Sequence, residues 1–306
     1  MRKVNLRNLP SRSIAIFSSA PPKIRSRAIT DSDLSDVAGL LARGFPRRRR
    51  QHWLLALERL ATHPTISSLP KYGYLLECDN TSVGVILLIS TAIQANGAPA
   101  VRCNLSSWYV EPAYRAHAAL LYSRALRHKD VTYINISAAA HVLPIVEAFG
   151  FSRYSNGQFA ALAALSPAPI RQPIRVVTSR QHPSVFFEPS EADLLKAHAE
   201  YGCISFWCIT PERAYPFVCL PRIVKGFLPC AQLIYCRDIE DFVRFARPIG
   251  WFLARRGRPF VLIDSNHPIP GLLGKYFDGV SPRYFKGLAQ PRIGDLAFTE
   301  AALFGL

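Results

Sequence analysis

The chain is poor in acidic residues and in methionine, and it has no long hydrophobic run. Of its 306 residues, 21 are Asp or Glu, 37 are Lys or Arg, and one is Met. The longest apolar run, residues 83–89, is far shorter than the roughly 20 residues that cross a bilayer as a helix. We therefore expect no membrane span, and the apolar stretch near the first residues is too short for a signal peptide.

The seven cysteines lack the spacing of a zinc site, since no Cys-x-x-Cys motif and no zinc-type Cys/His pair occurs. Most of them lie in apolar or β-rich segments, where a free thiol is usually a small buried hydrophobe. Free thiols in odd number are typical of a reducing compartment. We expect a cytoplasmic protein without a bound metal.

The excess of basic residues gives a formal net charge of +16. It is uneven: residues 1–165 carry 20 basic and 9 acidic side chains, and residues 1–23 have the composition of a basic flexible tail. Such a field attracts nucleic acid, anionic lipid, a phosphate-bearing cofactor or an acidic acyl-carrier protein. The arginine run 47–50 could contact a polyanion or be a solvated loop. No nucleic-acid-binding motif accompanies it, so nucleic acid is the less favoured partner.

Hydrophobic periodicity divides residues 24–165 into short strands and amphipathic helices. The pattern predicts a strand, two helices, three strands, a helix, a strand, a helix and a closing pair of strands. The helix after the third of those strands should run from Pro112 to about His128, and the closing strands should cover 151–154 and 158–165. The fold class is therefore α/β, more narrowly α+β, with a mixed, mostly antiparallel central sheet flanked by helices.

Residues 184–306 repeat this order after a linker, residues 166–183, that contains four prolines. We expect, in chain order, a helix, three strands, a long helix, a strand, a short helix and two strands. The long helix covers 238–256 and is kinked at Pro248, the short helix covers 272–277, and the last strands cover 283–286 and 295–304. The repetition indicates a divergent tandem duplication, with two unrelated α/β patterns as the alternative.

The segment 108–115, which reads WYVEPAYR, joins a predicted strand to the helix that begins at Pro112. It resembles the start of the acyl-CoA-binding signature of the GNAT acyltransferase superfamily, and Phe149-Gly150-Phe151 is similar to a turn that closes a later helix in that family. The resemblance implies a GNAT-like donor domain at 24–165 and a degenerate second domain at 184–306. It also implies transfer of an acyl group from acetyl-CoA, a longer acyl-CoA or an acyl-carrier protein to a small-molecule amine.

A helix N-terminus offers unpaired N–H groups and a partial positive charge, on which a pyrophosphate can lie. The resemblance implies that the end of the preceding strand binds the pantetheine arm and that the following loop binds the pyrophosphate. The cofactor-binding candidates are therefore Tyr109, Val110, Arg115, Ala116, His117, Ala118, Ala119 and Leu120.

The chain departs from the family pattern at chemically important positions. Ala116 and Ala118 replace the usual glycines, and a Cβ there crowds a phosphate or strains a positive φ. Val146 stands where the family has a tyrosine acid. The catalytic candidates are Glu111, as a base acting through water, and His141, as an acid or base near neutral pH. Water or Tyr122 are the other candidates for protonating the leaving thiolate.

Two other functions stay open at this stage. The alanine and valine replacements favour a non-catalytic GNAT-like binding module, and the net charge is compatible with a protein that binds nucleic acid or an anionic surface. In the second half, Asp238, Glu240 and Asp241 begin the helix that corresponds to the loop after Val110. Carboxylates there cap the helix and repel a pyrophosphate, so we predict that the second half does not bind CoA.

Overall fold

The computed structural model describes residues 23–66, 68–95, 97–167, 173–181 and 183–305, so the tail expected at the start lies outside it apart from Lys23. The strands are β1 (Ile24–Ala28), β2 (Gly73–Cys78), β3 (Thr81–Ala95), β4 (Ala98–Val110), β5 (Val131–Asn135), β6 (Ser152–Ala161), β7 (Arg175–Thr178), β8 (Ile204–Ile209), β9 (Ala214–Val224), β10 (Leu228–Cys236), β11 (Phe260–Ser265) and β12 (Gly274–Lys286). The α-helices are α1 (Leu34–Gly44), α2 (Arg50–Thr62), α3 (Ala118–Ala125), α4 (Leu143–Ala148), α5 (Pro189–Glu200), α6 (Ile239–Arg244), α7 (Ala246–Ala254) and α8 (Glu300–Phe304).

These strands form one sheet in the order β1-β2-β3-β4-β5-β12-β6-β11-β10-β9-β8-β7. The pairs β4–β5 and β10–β11 are parallel, and the other neighbouring pairs are antiparallel. The predicted fold class, a mixed and mostly antiparallel sheet flanked by helices, is confirmed. None of the described helices is long and apolar enough to span a membrane, and all seven cysteines are buried free thiols.

The two halves of the chain exchange their last strands at the centre of the sheet. β12, from the second half, pairs with β5 of the first, and β6, from the first half, pairs with β11 of the second. β6 and β12 also pair with each other. The sheet is therefore continuous, and elements of the second half pack directly against strands of the first.

The helices of the first half lie where the periodicity predicts them. α1 buries Val37, Leu40 and Leu41, and α2 buries Trp53 and Leu57. These side chains recur at three- and four-residue spacing, so they share one face of each helix. Each contributes about 1.5–3 kcal/mol when it leaves water, and together they hold both helices against the sheet.

Two elements of the first half differ from the prediction. The helix expected at 112–128 begins as a 3-10 turn over Pro112–His117, and its α-helical part ends at Ala125. The two closing strands expected at the end of the first half are one strand, β6. Gly157 continues the ladder to Ser265 on one side and Asp278 on the other. A side chain at Gly157 would collide with the Phe277 carbonyl, so glycine permits the close pairing here and does not mark a break.

Pro248 interrupts the long helix expected in the second half. Two helices, α6 and α7, meet at Phe245. A proline cannot donate an N–H to the carbonyl four residues earlier, which belongs to Arg244, and its ring clashes with that carbonyl. The interruption therefore falls one turn before the proline.

Three further segments, two in the second half and one in the linker, differ from the prediction. Residues 272–277, predicted as a helix, lie largely in β12, where the ladder with β6 outweighs the local helical pattern. Residues 295–304, predicted as a strand, end in the helix α8. β7 lies inside the expected linker, where it pairs with β8 as the edge strand.

Candidate active site

β4 and β5 lie side by side for only part of their length. Their parallel pairing joins residues 101–104 of β4 to residues 131–134 of β5. Further along, β4 has a bulge between Ser106 and Tyr109, where its register against β3 shifts, and Ser107 has a φ of 51°. A bulge bends its strand. The described residues of β4 beyond it have no ladder partner on the β5 side, so a gap opens there.

A cavity of about 410 Å³ occupies this gap. That volume lies within the range of small-molecule sites, roughly 300–1,000 Å³. Of the residues predicted for the site, Tyr109, Arg115 and His141 line the cavity, and so does Tyr122 of α3. The structure thus brings together the strand end, the arginine and two of the proton-donor candidates.

The other predicted binding residues lie outside the lining of this cavity. Val110 is buried in the core, and Ala118 packs at the edge of the same core. The exposed ones are Ala116, His117, Ala119 and Leu120. Their predicted contact with a phosphate would therefore take place on the protein surface.

The segment that follows β4 forms a tight turn that uses some of its own main-chain donors. Tyr114 N donates to the Glu111 carbonyl over 2.9 Å, and Ala118 N donates to the Arg115 carbonyl. Ala116 and Ala118 lie outside the positive-φ region, so alanine in place of glycine adds no backbone strain there. Anion binding at this turn therefore depends more on the Arg115 guanidinium than on free N–H groups.

Glu111, one of the two predicted catalytic residues, lies in an ion pair at the end of β4. Its Oε1 accepts hydrogen bonds from Arg43 Nη2 at 2.8 Å and from Arg43 Nε at 3.1 Å. It is not among the residues that line the cavity. A role as a base would require Glu111 to leave Arg43, whereas His141, the other candidate, faces the cavity directly.

Tyr122 combines a cavity position with a buried hydroxyl. Its ring packs against Trp108 at 4.8 Å and Phe149 at 4.6 Å between centroids. The hydroxyl is buried and makes no hydrogen bond of normal geometry, although the Asn135 side chain lies near enough to oppose part of the pKa shift. Burial raises the pKa of Tyr122 well above its usual value. The phenol is therefore protonated at neutral pH and is free to donate a hydrogen bond to a ligand.

Glu300 is a candidate site residue that the sequence analysis does not identify. It begins α8, is 1% exposed, and reaches the gap between β4 and β5 from the second half of the chain. Its carboxylate accepts hydrogen bonds from Ser106 and, at 2.7 Å, from Ser137, and its N–H donates to Asn104 Oδ1 at 2.8 Å. Burial raises the pKa of Glu300, although these hydrogen bonds oppose the rise. A buried carboxylate with a raised pKa at a cavity is a typical proton acceptor.

A second cavity, of about 200 Å³, adjoins the first. Ser137 and Ala138 line both, and Glu300 lines the smaller one together with Arg222, Gln232 and Arg283. The Glu300 carboxylate therefore lies one hydroxyl away from the larger cavity. The arrangement offers two adjoining compartments with a carboxylate between them.

The second half has the same strand geometry, but the edge of its bulged strand is covered by another segment of the chain. β10 pairs with β11 in parallel only over residues 230–232, and β10 has a bulge between Leu233 and Tyr235. Beyond the bulge the chain itself takes the free edge of β10. Cys236 N donates to the Gly294 carbonyl at 3.0 Å, and Leu296 N donates to the Ile234 carbonyl at 2.7 Å. These hydrogen bonds use main-chain groups that a ligand would otherwise need.

The helix that follows β10 begins as the sequence predicts, with a carboxylate at its cap. The Asp238 side chain accepts a hydrogen bond from Glu240 N at 3.1 Å. Arg237 turns away to Glu191, with two N–O distances of 2.9 and 2.6 Å. A carboxylate at the cap and a paired arginine both disfavour a phosphate at this position, and that this half does not bind CoA stays a prediction.

The arginine run 47–50 joins α1 to α2, and two of its members bind within the chain. Arg48 donates to the Gly305 carbonyl at 3.2 Å and Arg50 donates to Ser35 Oγ at 2.7 Å. The run is therefore partly structural, which weakens the case for a polyanion-binding loop. In the described part of the chain, no cluster of three or more His, Cys, Asp or Glu could hold a metal ion.

Comparison with known proteins gives a fold and no closer relationship. No protein-family model matches the chain, and no curated protein matches it. Solved structures do match. The chain is similar to a GCN5-related N-acetyltransferase from Kribbella flavida, with 13% identity and a TM-score of 0.52 over 86% of this chain and 71% of that chain.

Two other structures resemble the chain over a similar extent. A conserved Enterococcus faecalis protein designated "probable N-acyltransferase" shares 12% identity, with a TM-score of 0.56 over 90% of this chain and 73% of that chain. A GCN5-related N-acetyltransferase from Anabaena variabilis shares 8% identity, with a TM-score of 0.55 over 86% and 72%. The protein therefore has the GNAT fold that its sequence motif led us to expect.

Proposed function

We propose that the protein is an acyltransferase that moves an acyl group from acyl-CoA to an amine. The observation that carries the proposal is the cavity in the gap beyond the β4 bulge, which brings Arg115, Tyr122 and, through Ser137, Glu300 to one place. The fold supports an acyl-transfer function but does not define the donor or the acceptor.

The residues around the gap fit an acyl-CoA. The β4 edge beyond the bulge has main-chain groups available for the amides of a pantetheine arm, at Tyr109 and its neighbours. Two buried polar atoms beside it, Trp108 Nε1 and Tyr122 Oη, make no hydrogen bond within the described chain. Such atoms are costly to bury unless a ligand satisfies them. Arg115, exposed at the following turn, supplies a positive charge for phosphate.

The catalytic roles follow from the proton transfers that the reaction requires. The amine attacks the thioester carbonyl, a C–N bond forms, the C–S bond breaks, and a proton must leave the nitrogen while another reaches the sulfur. We assign the first proton to Glu300, reached directly or through the Ser137 hydroxyl 2.7 Å away. We assign the second to Tyr122, because its buried phenol is protonated and faces the cavity. Holding both reactants in adjoining compartments supplies much of the remaining acceleration.

The second half then has a supporting role. Its own chain covers the free edge of β10, and its last strand and helix complete the first half's sheet and site. The mirrored strand order and the two matching bulges support a tandem duplication in which one copy kept the edge of its bulged strand free and the other covered it. On this view the active site needs both halves, since Glu300 lies in the second.

Donor binding can be tested by thermal unfolding with acetyl-CoA and longer acyl-CoAs. A ligand at one hundred times its dissociation constant should add about 2.7 kcal/mol to the free energy of unfolding. Ala139→Trp, at the larger cavity, should abolish that increase. Glu240→Trp, at the corresponding cleft of the second half, is the matched control and should leave it unchanged. Release of free thiol in the presence of amines then measures turnover.

A non-catalytic binding module is the second candidate, favoured by the tight turn after β4 and by Val146, which is buried in the core. It predicts the same stabilisation by acyl-CoA without thiol release for any amine. An absence of stabilisation with every acyl-CoA and with carrier protein would reject both candidates.

A further inference from the structure

The smaller cavity contains two oppositely charged groups that do not neutralise each other by contact. Glu300 and Arg222 both line this cavity, whose volume is about 200 Å³. Within the described residues, neither forms an ion pair within 4.0 Å. Glu300 is held by hydroxyl groups, and Arg222 Nη1 donates to the neutral amide oxygen of Gln232 at 2.6 Å.

Arg283 lines the same cavity and, unlike Arg222, is paired with a carboxylate. Its guanidinium binds the Asp264 carboxylate through two contacts, of 2.7 and 3.0 Å, so its charge is balanced. Arg222 lacks such a partner although it is only partly exposed. Burying a charge without a counter-charge is expensive, and the cavity next to Arg222 is where one could enter.

We propose that the acceptor is a small amino acid, whose carboxylate binds Arg222 and whose amine binds Glu300. This inference rests on the proposed function and adds the substrate class. A zwitterion supplies both missing counter-charges at once, and a guanidinium binds a carboxylate through two parallel hydrogen bonds. The volume suits a molecule of a few heavy atoms.

The same contacts lead to the reaction. The ammonium group gives one proton to Glu300 and becomes nucleophilic. Attack through the Ser137–Ala138 junction forms the new C–N bond and breaks the C–S bond, the second proton of the former ammonium leaves with the solvent, and Tyr122 protonates the sulfur. The products are an N-acyl amino acid and CoA.

The test compares acceptors that differ only in the carboxylate and in its spacing. With acetyl-CoA saturating, glycine, β-alanine and 4-aminobutanoate are measured against ethylamine, which has no anionic group. One of the amino acids should exceed ethylamine in kcat/KM by about tenfold to a hundredfold, the usual worth of a hydrogen bond to a charged group. The best spacing then reports the distance between Arg222 and Glu300.

Arg222→Gln should raise the KM of that amino acid by at least tenfold and leave the KM of acetyl-CoA and of ethylamine within twofold. Lys225→Gln removes the same charge three residues later, outside this cavity, and is the matched control. Equal kcat/KM for ethylamine and every amino acid, or an Arg222→Gln effect of equal size on both, would overturn the proposal. If no amine is acylated, calorimetric titration of the amino acids alone shows whether the proposed site binds them. Binding that Arg222→Gln abolishes supports the site, and no binding rejects it, independently of the acyl-transfer function.

Discussion

The clefts beyond β4 and beyond β10 are built alike and differ in what occupies them. In each half a bulged strand pairs with its parallel neighbour over three or four residues and then leaves it. In the first half the edge of the bulged strand borders a cavity of about 410 Å³. In the second, Gly294 and Leu296 bind that edge through main-chain hydrogen bonds, and a cavity of about 680 Å³ lies beside the start of α6.

The bulged strand pair therefore provides an opening in each half, and the neighbouring chain determines whether the strand edge stays free. The segment that covers the edge of β10 continues directly into α8, which carries Glu300 to the first cleft. The same short stretch of chain therefore covers one strand edge and contributes a carboxylate to the other cleft. Four predictions follow from this contrast, in order of decreasing effect.

Tyr122→Phe should lower kcat by roughly 10²–10⁴-fold, the range for loss of a general acid, with little change in the KM of acyl-CoA. The ring packing against Trp108 and Phe149 stays, so the fold should hold. Tyr154→Phe is the control, since Tyr154 is equally buried with an unpartnered hydroxyl and lies outside both cavities. Equal activity of both variants in steady-state assays would remove Tyr122 from the mechanism.

Glu300→Gln should lower kcat by about 10²-fold, because an amide can accept the serine hydrogen bonds and cannot take a proton. Burial raises the pKa of Glu300, so wild-type activity should fall as pH drops through that raised value, and the variant should lose this acid limb. Glu191→Gln changes a buried carboxylate of the second half that pairs with Arg237, and should leave the pH–rate profile intact. A Glu300→Gln profile that still follows the wild type would assign the base elsewhere.

Acid should loosen the segment that separates the two clefts, through His198. This ring is fully buried, with Nδ1 2.8 Å from the Leu194 carbonyl and Nε2 accepting from Phe298 N at 3.0 Å, and burial lowers its pKa to about 4. The unfolded chain binds a proton near pH 6.5 and the folded chain does not, so stability is complete above 6.5 and declines as pH falls toward 4.

Between pH 7 and pH 5 this linkage should cost about 2 kcal/mol in the free energy of unfolding, measured by urea titration. His198→Gln is less stable at pH 7 and should lack that part of the pH dependence. His117→Gln, at an exposed histidine of the first half, should behave as the wild type. An unchanged pH dependence in His198→Gln would show that the ring does not hold the segment.

Arg115→Gln should raise the dissociation constant of acyl-CoA about tenfold, as expected for one charge-assisted hydrogen bond. Arg237→Gln, at the end of β10, should leave that constant unchanged and instead destabilise the fold, because Glu191 loses its partner. Calorimetric titration of both variants measures their affinity for acyl-CoA, and urea unfolding measures the stability of each. A tenfold loss of acyl-CoA affinity in Arg237→Gln would place the donor in the second half.

The motif after β4 made the fold and part of the site predictable, because strand, bulge and turn are local in sequence. Tyr109 and Arg115 belong to the motif around Pro112, Tyr122 lies on the helix that follows it, and His141 follows the next predicted strand. Glu300 could not, although Thr299 before it and Gly305 after it, with a φ of 67°, are typical helix boundaries. These signals are ambiguous in the sequence, because the short apolar runs 296–298 and 301–304 also suit strands.

By itself the sequence determined the alternation of strands and helices, the cap at Asp238 and the resemblance that led to the fold. These depend on neighbours within a few turns of chain, which propensity and periodicity describe well. The crossing of β6 and β12 between the halves is visible only in the folded chain, and so are the cover that 294–296 form over the edge of β10 and the contacts of Glu300 with Ser106 and Ser137. Those contacts join residues more than 50 positions apart, and their free energy depends on burial and on main-chain pairing that no local pattern contains.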